Sequence, residues 1–473
     1  MREVVIGLEI HIELATKTKL FCGCSTNFDA APNTQCCPVC AGYPGTLPVT
    51  NKEVVRHAAR LGAATNCTIQ KRSKMDRKNY FYPDLPKNYQ ISQFDLPICT
   101  DGYIDIETEA GIKRVNIVRI HIEEDAGKLN HGRGEAGIDL NRSCIPLVEL
   151  VTAPDMSSAA EAKAFVEKIK AICEYTGVSD CKMQEGSLRC DVNLSLKAIG
   201  SDKLGTRTET KNLNSFKAIV NSINLGIERQ NDILDRGDKV RQQTLQYDDE
   251  TGVITPLRDK EDSHDYRYFP DPDLTEIHLT QEYVDEIYAS MPVLPDARMK
   301  KYTSELGLSD YDAGVLTATR ELSDFFDSCV AAGAPPKLAA NLLMGPLQEL
   351  LKQSGKDITD MQLTPAHVAE IIALTGSGKI SGSAGKKVMQ QVFETGINPA
   401  KIIEESGLTQ INDSDALAGI ARQVLSDNPK SVQDYLAGKE AALKYLMGQC
   451  MKLSKGKANP QAINDLLVQL IKE

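Results

Sequence analysis

Apolar and polar side chains alternate with a period of two at the start of this chain: Leu8, Ile10, Ile12 and Leu14 fall on one face, Glu9, His11 and Glu13 on the other. That period predicts a strand with one face on a core. It returns in Val115–Ile122, in Cys144–Val151, where Glu149 interrupts an otherwise apolar run, and most clearly further along. There Leu188, Cys190, Val192, Leu194 and Leu196 oppose Ser187, Arg189, Asp191, Asn193 and Ser195. Arg207, Glu209 and Lys211 continue the pattern before an Asn212-Leu213-Asn214-Ser215 helix cap. In between, the period lengthens to that of a helix, with Phe165, Ile169 and Ile172 in one stripe and Gly177 as its stop. Repeated two-faced strands predict an antiparallel sheet, one face on a core and the other open as a cradle.

Beyond Pro292-Val293-Leu294-Pro295 the composition shifts to helix formers. The expected architecture is therefore α+β. An antiparallel-sheet cradle domain spans 1–295, an all-α helical domain 296–406 and a tail domain 407–473. In the tail, Asn459 caps a helix begun by Pro460, with Ile463, Leu466, Leu467 and Leu470 on its apolar face. Thr375-Gly376-Ser377-Gly378-Lys379-Ile380 resembles a phosphate loop only superficially. Ala373 replaces the first glycine and Ile380 the magnesium-binding hydroxyl.

The polar faces hold the candidate chemistry. Glu9, His11 and Glu13 set two carboxylates around an imidazole, a grouping that calls for a divalent cation or a cationic partner. Glu123-Glu124-Asp125 ends one alternating strand, and periodicity leaves the choice between Glu123 and Glu124 open. Glu149 would cost several kcal/mol in an apolar strand unless it were paired or metal-bound. Cys22-Gly23-Cys24 and Cys37-Pro38-Val39-Cys40 pair four thiols at the spacing of a tetrahedral zinc site, leaving Cys36 as a bystander. From Lys71 to Pro97, Lys71, Arg72, Lys74, Arg77, Lys78 and Lys87 interleave with Tyr80, Phe81, Tyr82 and Tyr89. That mixture suits phosphates and bases.

The chain has 473 residues and a net charge of −11, which excludes general adhesion to nucleic acid and leaves room for a local site. Residues 430–473 reverse the sign, with seven Lys against four acids. Lys452, Lys455 and Lys457 are the candidate phosphate contacts, to a tRNA backbone if the family resemblance given below holds. No presequence pattern or membrane-length apolar run is present, and the thirteen cysteines form no disulfide framework. A cytoplasmic protein with no membrane association is expected.

VIGLEIHIEL, NYFYPDLPKNYQISQFDLPI, HIEEDAGK, MQEGSLRCDVNLSL, KNLNSF and HDYRYFPDPDL occur in that order. Together they closely resemble the B-subunit family of bacterial glutamyl/aspartyl-tRNA amidotransferases, GatB. The resemblance implies a cradle of the glutamine synthetase/guanido kinase type. It implies ATP-dependent phosphorylation of the side-chain carboxylate of Glu on Glu-tRNA(Gln), or Asp on Asp-tRNA(Asn), and attack by ammonia from a partner. It places a catalytic magnesium on His11, Glu124 and Glu149 with Glu9 beside it, so choosing Glu124. Arg189 becomes a phosphate clamp, with Asp191, Asn193 and Lys211 as further nucleotide contacts. Zinc on Cys22, Cys24, Cys37 and Cys40 would be structural, because some members lack these cysteines. Thr210 stands where the family usually has an apolar residue, and Asp259 where it usually has Ser; neither removes a candidate ligand.

No glutaminase nucleophile constellation is evident, so the family's amidase (A) partner would supply the nitrogen, and its small (C) partner would complete a heterotrimer. A noncatalytic zinc-bearing tRNA-binding scaffold is the alternative. It accounts for the cysteines and the basic tail, but not for the Glu and His residues on strand faces. A free-standing ligase acting on a small acid accounts for the carboxylates, but not for the helical tail.

Overall fold

The computed structural model describes residues 2–131, 135–259, 266–410, 414–454 and 458–472. Lys455, Lys457 and the His264-Asp265 start of the HDYRYFPDPDL motif lie outside the described residues. Two compact units divide after Leu294.

The first unit is built on a nine-stranded sheet. From one edge to the other its strands are Val253–Asp259, Gln243–Asp248, Thr208–Leu213, Leu188–Ala198, Arg2–Glu13, Pro146–Thr152, Gly111–Glu124, Cys99–Thr108 and Thr68–Ile69. The two-faced strands thus lie side by side at its centre, with the first strand of the chain between Leu188–Ala198 and Pro146–Thr152. Pairing is antiparallel throughout, except that Thr208–Leu213 runs parallel to Gln243–Asp248. The departure has a plain cause. The Phe216–Asp235 helix lies between those two strands in sequence and carries the chain back to the same end of the sheet.

The apolar faces of the central strands merge with the helices Lys52–Ala64, Ala159–Thr176 and Phe216–Asp235 into one core. Ile6, Leu8, Ile10 and Ile12 are buried there with Val148, Leu150, Leu188 and Val192, against Phe165, Ile169, Ile219 and Ile223. Ser158 and Ser215 cap two of these helices by accepting from Glu161 N and Ala218 N. Gly177, at φ +67°, ends the Ala159–Thr176 helix in the left-handed conformation the sequence predicts. Gly226 lets the third helix approach the sheet. A Cβ there would come within 2.7 Å of Leu194 Cδ2. A three-stranded sheet of Phe269–Pro270, Asp76–Asn79 and Tyr89–Ser92 brings Lys78 and Tyr80 to the first unit's polar centre.

The second unit is helical from Pro295 to Lys472 among the described residues. It holds two separate cores, one built from Tyr302, Phe326, Leu343, Val388 and Phe393, the other from Leu417, Leu446, Ile463 and Leu467. Asn459 Oδ1 accepts from Gln461 N at 3.0 Å at the start of the last helix, and Ile463 and Leu467 line its buried face. Thr375 and Gly376 end one helix and Gly382 begins the next.

Phe165 is completely buried between its helix and the sheet. Phe165→Ala is expected to destabilise the first unit by about 3–5 kcal/mol, read as a lower urea midpoint by circular dichroism. An unchanged midpoint would show that this helix does not hold the sheet.

Candidate active site

Cross-strand register assembles the site. His11 stands opposite Glu149 on one side and Arg189 on the other, and Glu149 stands opposite His121, so a row of four ionisable side chains crosses the open sheet face. Glu123, two residues after His121, shares that face. His11 Nε2 lies 3.6 Å from Glu123 Oε1 and 3.5 Å from Glu149 Oε2, while His121 Nε2 lies 3.5 Å from Glu149 Oε2. Ser92 Oγ donates to Glu123 at 3.3 Å.

These groups are nearly enclosed, and they tune one another. Burial pushes the His11 imidazole down, yet Glu149 and Glu123 more than reverse this and raise it to about 9. Burial raises Glu149, but His121, His11 and Lys78 outweigh it and hold the carboxyl well below its ordinary range. Glu123 is held down in the same way, chiefly by His121. The Lys78 ammonium lies 5.0 Å from the Tyr266 ring centre and 5.7 Å from that of Tyr80, so aromatic faces hold a cation beside the carboxylates. One ligand atom each from His11, Glu123 and Glu149 falls within 4.8 Å of the others, a spacing that can hold a divalent cation.

The structure corrects one ligand. Glu124 belongs to the opposite face, with Ile120 and Ile122; its carboxylate accepts from Ile91 N at 2.8 Å and pairs with Lys87. Glu123, not Glu124, therefore faces His11 and Glu149. The signal was in the chain: Arg119, His121 and Glu123 alternate with Ile120 and Ile122 at the period of the first strand. His121 is a further member of the site that sequence reasoning passed over, and Lys78, one of the basic residues expected to suit phosphates, lies beside these carboxylates.

A second acidic group lies beside the first. Glu9, Asp191 and Glu209 each bring a carboxylate oxygen within 4.8 Å of the others. Lys211 Nζ lies 2.9 Å from Asp191 and 2.7 Å from Glu209, and Asn193 Nδ2 donates to Glu9 at 2.9 Å. Burial and the nearby Glu149 and Glu209 raise the Glu9 carboxyl. Arg189 donates from Nη2 to Asp125 at 2.7 Å, and Asp125 is also paired with Arg142 at 3.6 Å. Arg189 is thus braced from behind. Arg189 Nε and Asn193 Oδ1 are buried without a hydrogen-bond partner among the described residues. Buried polar atoms left in this state call for a water or a ligand.

Cys22, Cys24, Cys37 and Cys40 are brought together, with their sulfurs within 4.8 Å of one another. A tetrahedron with Zn–S bonds of about 2.3 Å has edges of about 3.8 Å; Cys37 and Cys40 are 4.0 Å apart. The donor set and spacing fit zinc. Contact with Cys22 and burial push the Cys40 thiol up to about 12, so it is the cation that would draw off the proton. Cys36 turns away and donates to Asn33 O at 3.3 Å.

The Lys71–Pro97 segment is less free than its composition suggests. Arg72 pairs with Glu276, Arg77 with Asp271 and Asp273, Lys74 with Asp76 and Asp95, and Lys87 with Glu124. These four cations are committed within the fold, while Phe81 and Tyr82 are exposed. Lys452 is exposed in the last turn of the Glu440–Leu453 helix.

Comparison with known proteins agrees along the chain. Residues 4–285 match the GatB/GatE catalytic domain family and residues 324–471 the GatB domain family. A protein of Caldanaerobacter subterraneus subsp. tengcongensis, named as the B subunit of aspartyl/glutamyl-tRNA(Asn/Gln) amidotransferase, is 53% identical over 466 residues, covering 98% of each chain. A protein of the same name from Geobacter sulfurreducens is 50% identical over 475 residues, covering 99% of each.

Glu123→Gln is expected to weaken manganese binding at this centre by tenfold or more, at least about 1.4 kcal/mol, in a titration followed by electron paramagnetic resonance. Glu124→Gln should leave that affinity unchanged and instead lower the melting temperature, because Lys87 loses its counter-charge. Loss of manganese in the Glu124 variant alone would reverse the assignment.

Proposed function

This chain belongs to the GatB family, and on that premise we propose that its open sheet face activates the side-chain carboxylate of Glu on Glu-tRNA(Gln), or of Asp on Asp-tRNA(Asn), for amidation. The chain is then one component of a tRNA-dependent amidotransferase, an enzyme of the ligase class. The convergence of His11, Glu123 and Glu149 from three adjacent strands carries the reading. A scaffold that only bound tRNA would have no use for two carboxylates buried against an imidazole.

A carboxylate is a poor electrophile because its oxygen is a poor leaving group. Transfer of the γ-phosphoryl group of ATP to that oxygen releases ADP and gives an acyl phosphate; ammonia then attacks the carbonyl carbon and gives up a proton as phosphate departs, and the amide remains. Such a transfer is governed by positioning and by neutralising charge on the phosphoryl oxygens. Magnesium held by His11, Glu123 and Glu149 would supply part of that neutralisation. Glu9, Asp191 and Glu209 have the chemistry to hold a second divalent ion.

The chain's own residues do the rest. Arg189, kept in place by Asp125, offers its unpartnered Nε to a phosphate oxygen. Lys211, fixed by Asp191 and Glu209, adds positive charge on the next strand, and Asn193 offers a free carbonyl oxygen to the nucleotide. His121 steers both carboxylates. Zinc on the four cysteines would serve as a structural tie. The sheet, with helices on one face and charge on the other, supports a cradle of the glutamine synthetase/guanido kinase type.

The second unit's two cores support a helical domain followed by a tail that folds around its own core and presents Lys452 to a tRNA backbone. Ammonia would come from a partner amidase, with a small third chain completing the heterotrimer, in the cytoplasm. No helix among the described residues is long and apolar enough to cross a membrane.

With ATP, magnesium and ammonium chloride, the assembled enzyme is expected to convert Glu-tRNA(Gln) to Gln-tRNA(Gln) without glutamine. Glu149→Ala should slow this by about 10²- to 10³-fold, the scale of losing one electrostatic stabiliser of a transition state, while tRNA binding persists. Full turnover in that variant would sink the assignment. Removing residues 407–473 should raise the KM for charged tRNA and leave the divalent-cation affinity of the first unit intact. Loss of cation binding in the truncation would show that the site needs the tail.

A further inference from the structure

Lys19, three residues before the first cysteine of the knot, is completely buried. Its ammonium donates to Cys40 Sγ at 3.6 Å and to Leu140 O at 3.2 Å, its two hydrogen-bond partners among the described residues. A cation sealed from water beside neutral thiols would carry a desolvation penalty of several kcal/mol with little in return. Beside thiolates the balance changes. Four thiolates around one zinc ion carry a net charge of −2, and an ammonium touching one of the sulfurs halves it.

The second contact of Lys19 gives this charge a mechanical role. Leu140 begins a loop running to Cys144 that is stitched to the knot: Ser143 Oγ donates to Cys40 O at 2.8 Å, Leu20 N to Cys144 O at 3.0 Å and Leu140 N to Asn33 Oδ1 at 2.8 Å. The same loop carries Arg142. Its guanidinium donates to Ala126 O at 3.0 Å and Gly127 O at 2.7 Å and pairs with Asp125, the carboxylate that braces Arg189.

We propose that Lys19 is the counter-ion of the Cys22, Cys24, Cys37 and Cys40 centre, a positioning residue that couples the charge of the bound metal to the loop holding Arg142 against Asp125. The inference rests on the reading of those cysteines as a zinc site. It adds to that reading a fifth residue, recruited by charge, and a path from the knot to the polar cleft. Outer partners of metal ligands commonly govern affinity by about 10- to 100-fold.

The test compares full-length wild type with Lys19→Met, each zinc-free and loaded with one equivalent of zinc. Lys19→Met is expected to bind zinc about 10- to 100-fold more weakly in competition with a chromophoric chelator, and to show a smaller rise in melting temperature on loading. Zinc-free Lys19→Met should melt no lower than zinc-free wild type, because the ammonium then has no counter-charge to lose. Zinc removal from wild type should also speed amide hydrogen exchange across Leu140–Cys144. If wild type holds zinc and Lys19→Met holds it as tightly, the counter-ion role is wrong and the zinc reading stands. A lowered melting temperature in the zinc-free variant would assign Lys19 to packing, and unchanged exchange would sever the loop from the metal. Failure of wild type to bind zinc would overturn the inference together with the reading beneath it.

Discussion

Register in the four central strands is the constraint on which the molecule depends. A slip of one residue would carry His11, Glu149, Glu123 and Arg189 into the space occupied by Phe165, Ile169 and Ile219, and would turn Ile10, Val148 and Leu188 outward. Both errors are costly, because charge would enter an apolar core while apolar surface faced a polar cleft. The pairings of His11 with Glu149 and Arg189, and of Glu149 with His121, are therefore set by the hydrophobic effect acting on the other face of the same strands.

Much of the charge on the open face is set in opposed groups. His11 and His121 face Glu123 and Glu149, Lys211 faces Asp191 and Glu209, and Arg189 and Arg142 face Asp125. A network of this kind is an uncertain source of stability, since desolvation offsets much of the attraction. Its value lies in geometry. Polar atoms held in place before a ligand arrives need little reorganisation when it binds, which is what the proposed carboxylate activation would require of this face.

The cysteine knot is tied to that network through the loop that both of them touch. Asn33 donates to Ile138 O and accepts from Leu140 N, Asn141 donates to Ala31 O, and Arg142 extends the connection to Asp125. Lys19 lies at the junction. A structural metal here would thus do more than close a surface loop, because the carbonyls gripped by Arg142 belong to the turn that follows Glu123 and Glu124.

Spacing along the chain was enough to tell which faces of the strands are apolar, where helices start and stop, which four cysteines form two pairs, and, with motifs read in order, the family. Each of these is a local property, legible over a few residues. Folding resolved what those local patterns leave open. It put Glu123 in the site and gave Glu124 to Lys87, set His121 opposite Glu149, and joined Glu9 to Asp191 and Glu209. It also matched Arg72, Lys74 and Arg77 with acids, some nearly two hundred or more residues away in sequence. Periodicity states only which face a side chain takes, whereas its partner depends on which strand becomes the neighbour and in what register. That choice is made by burial of the whole core.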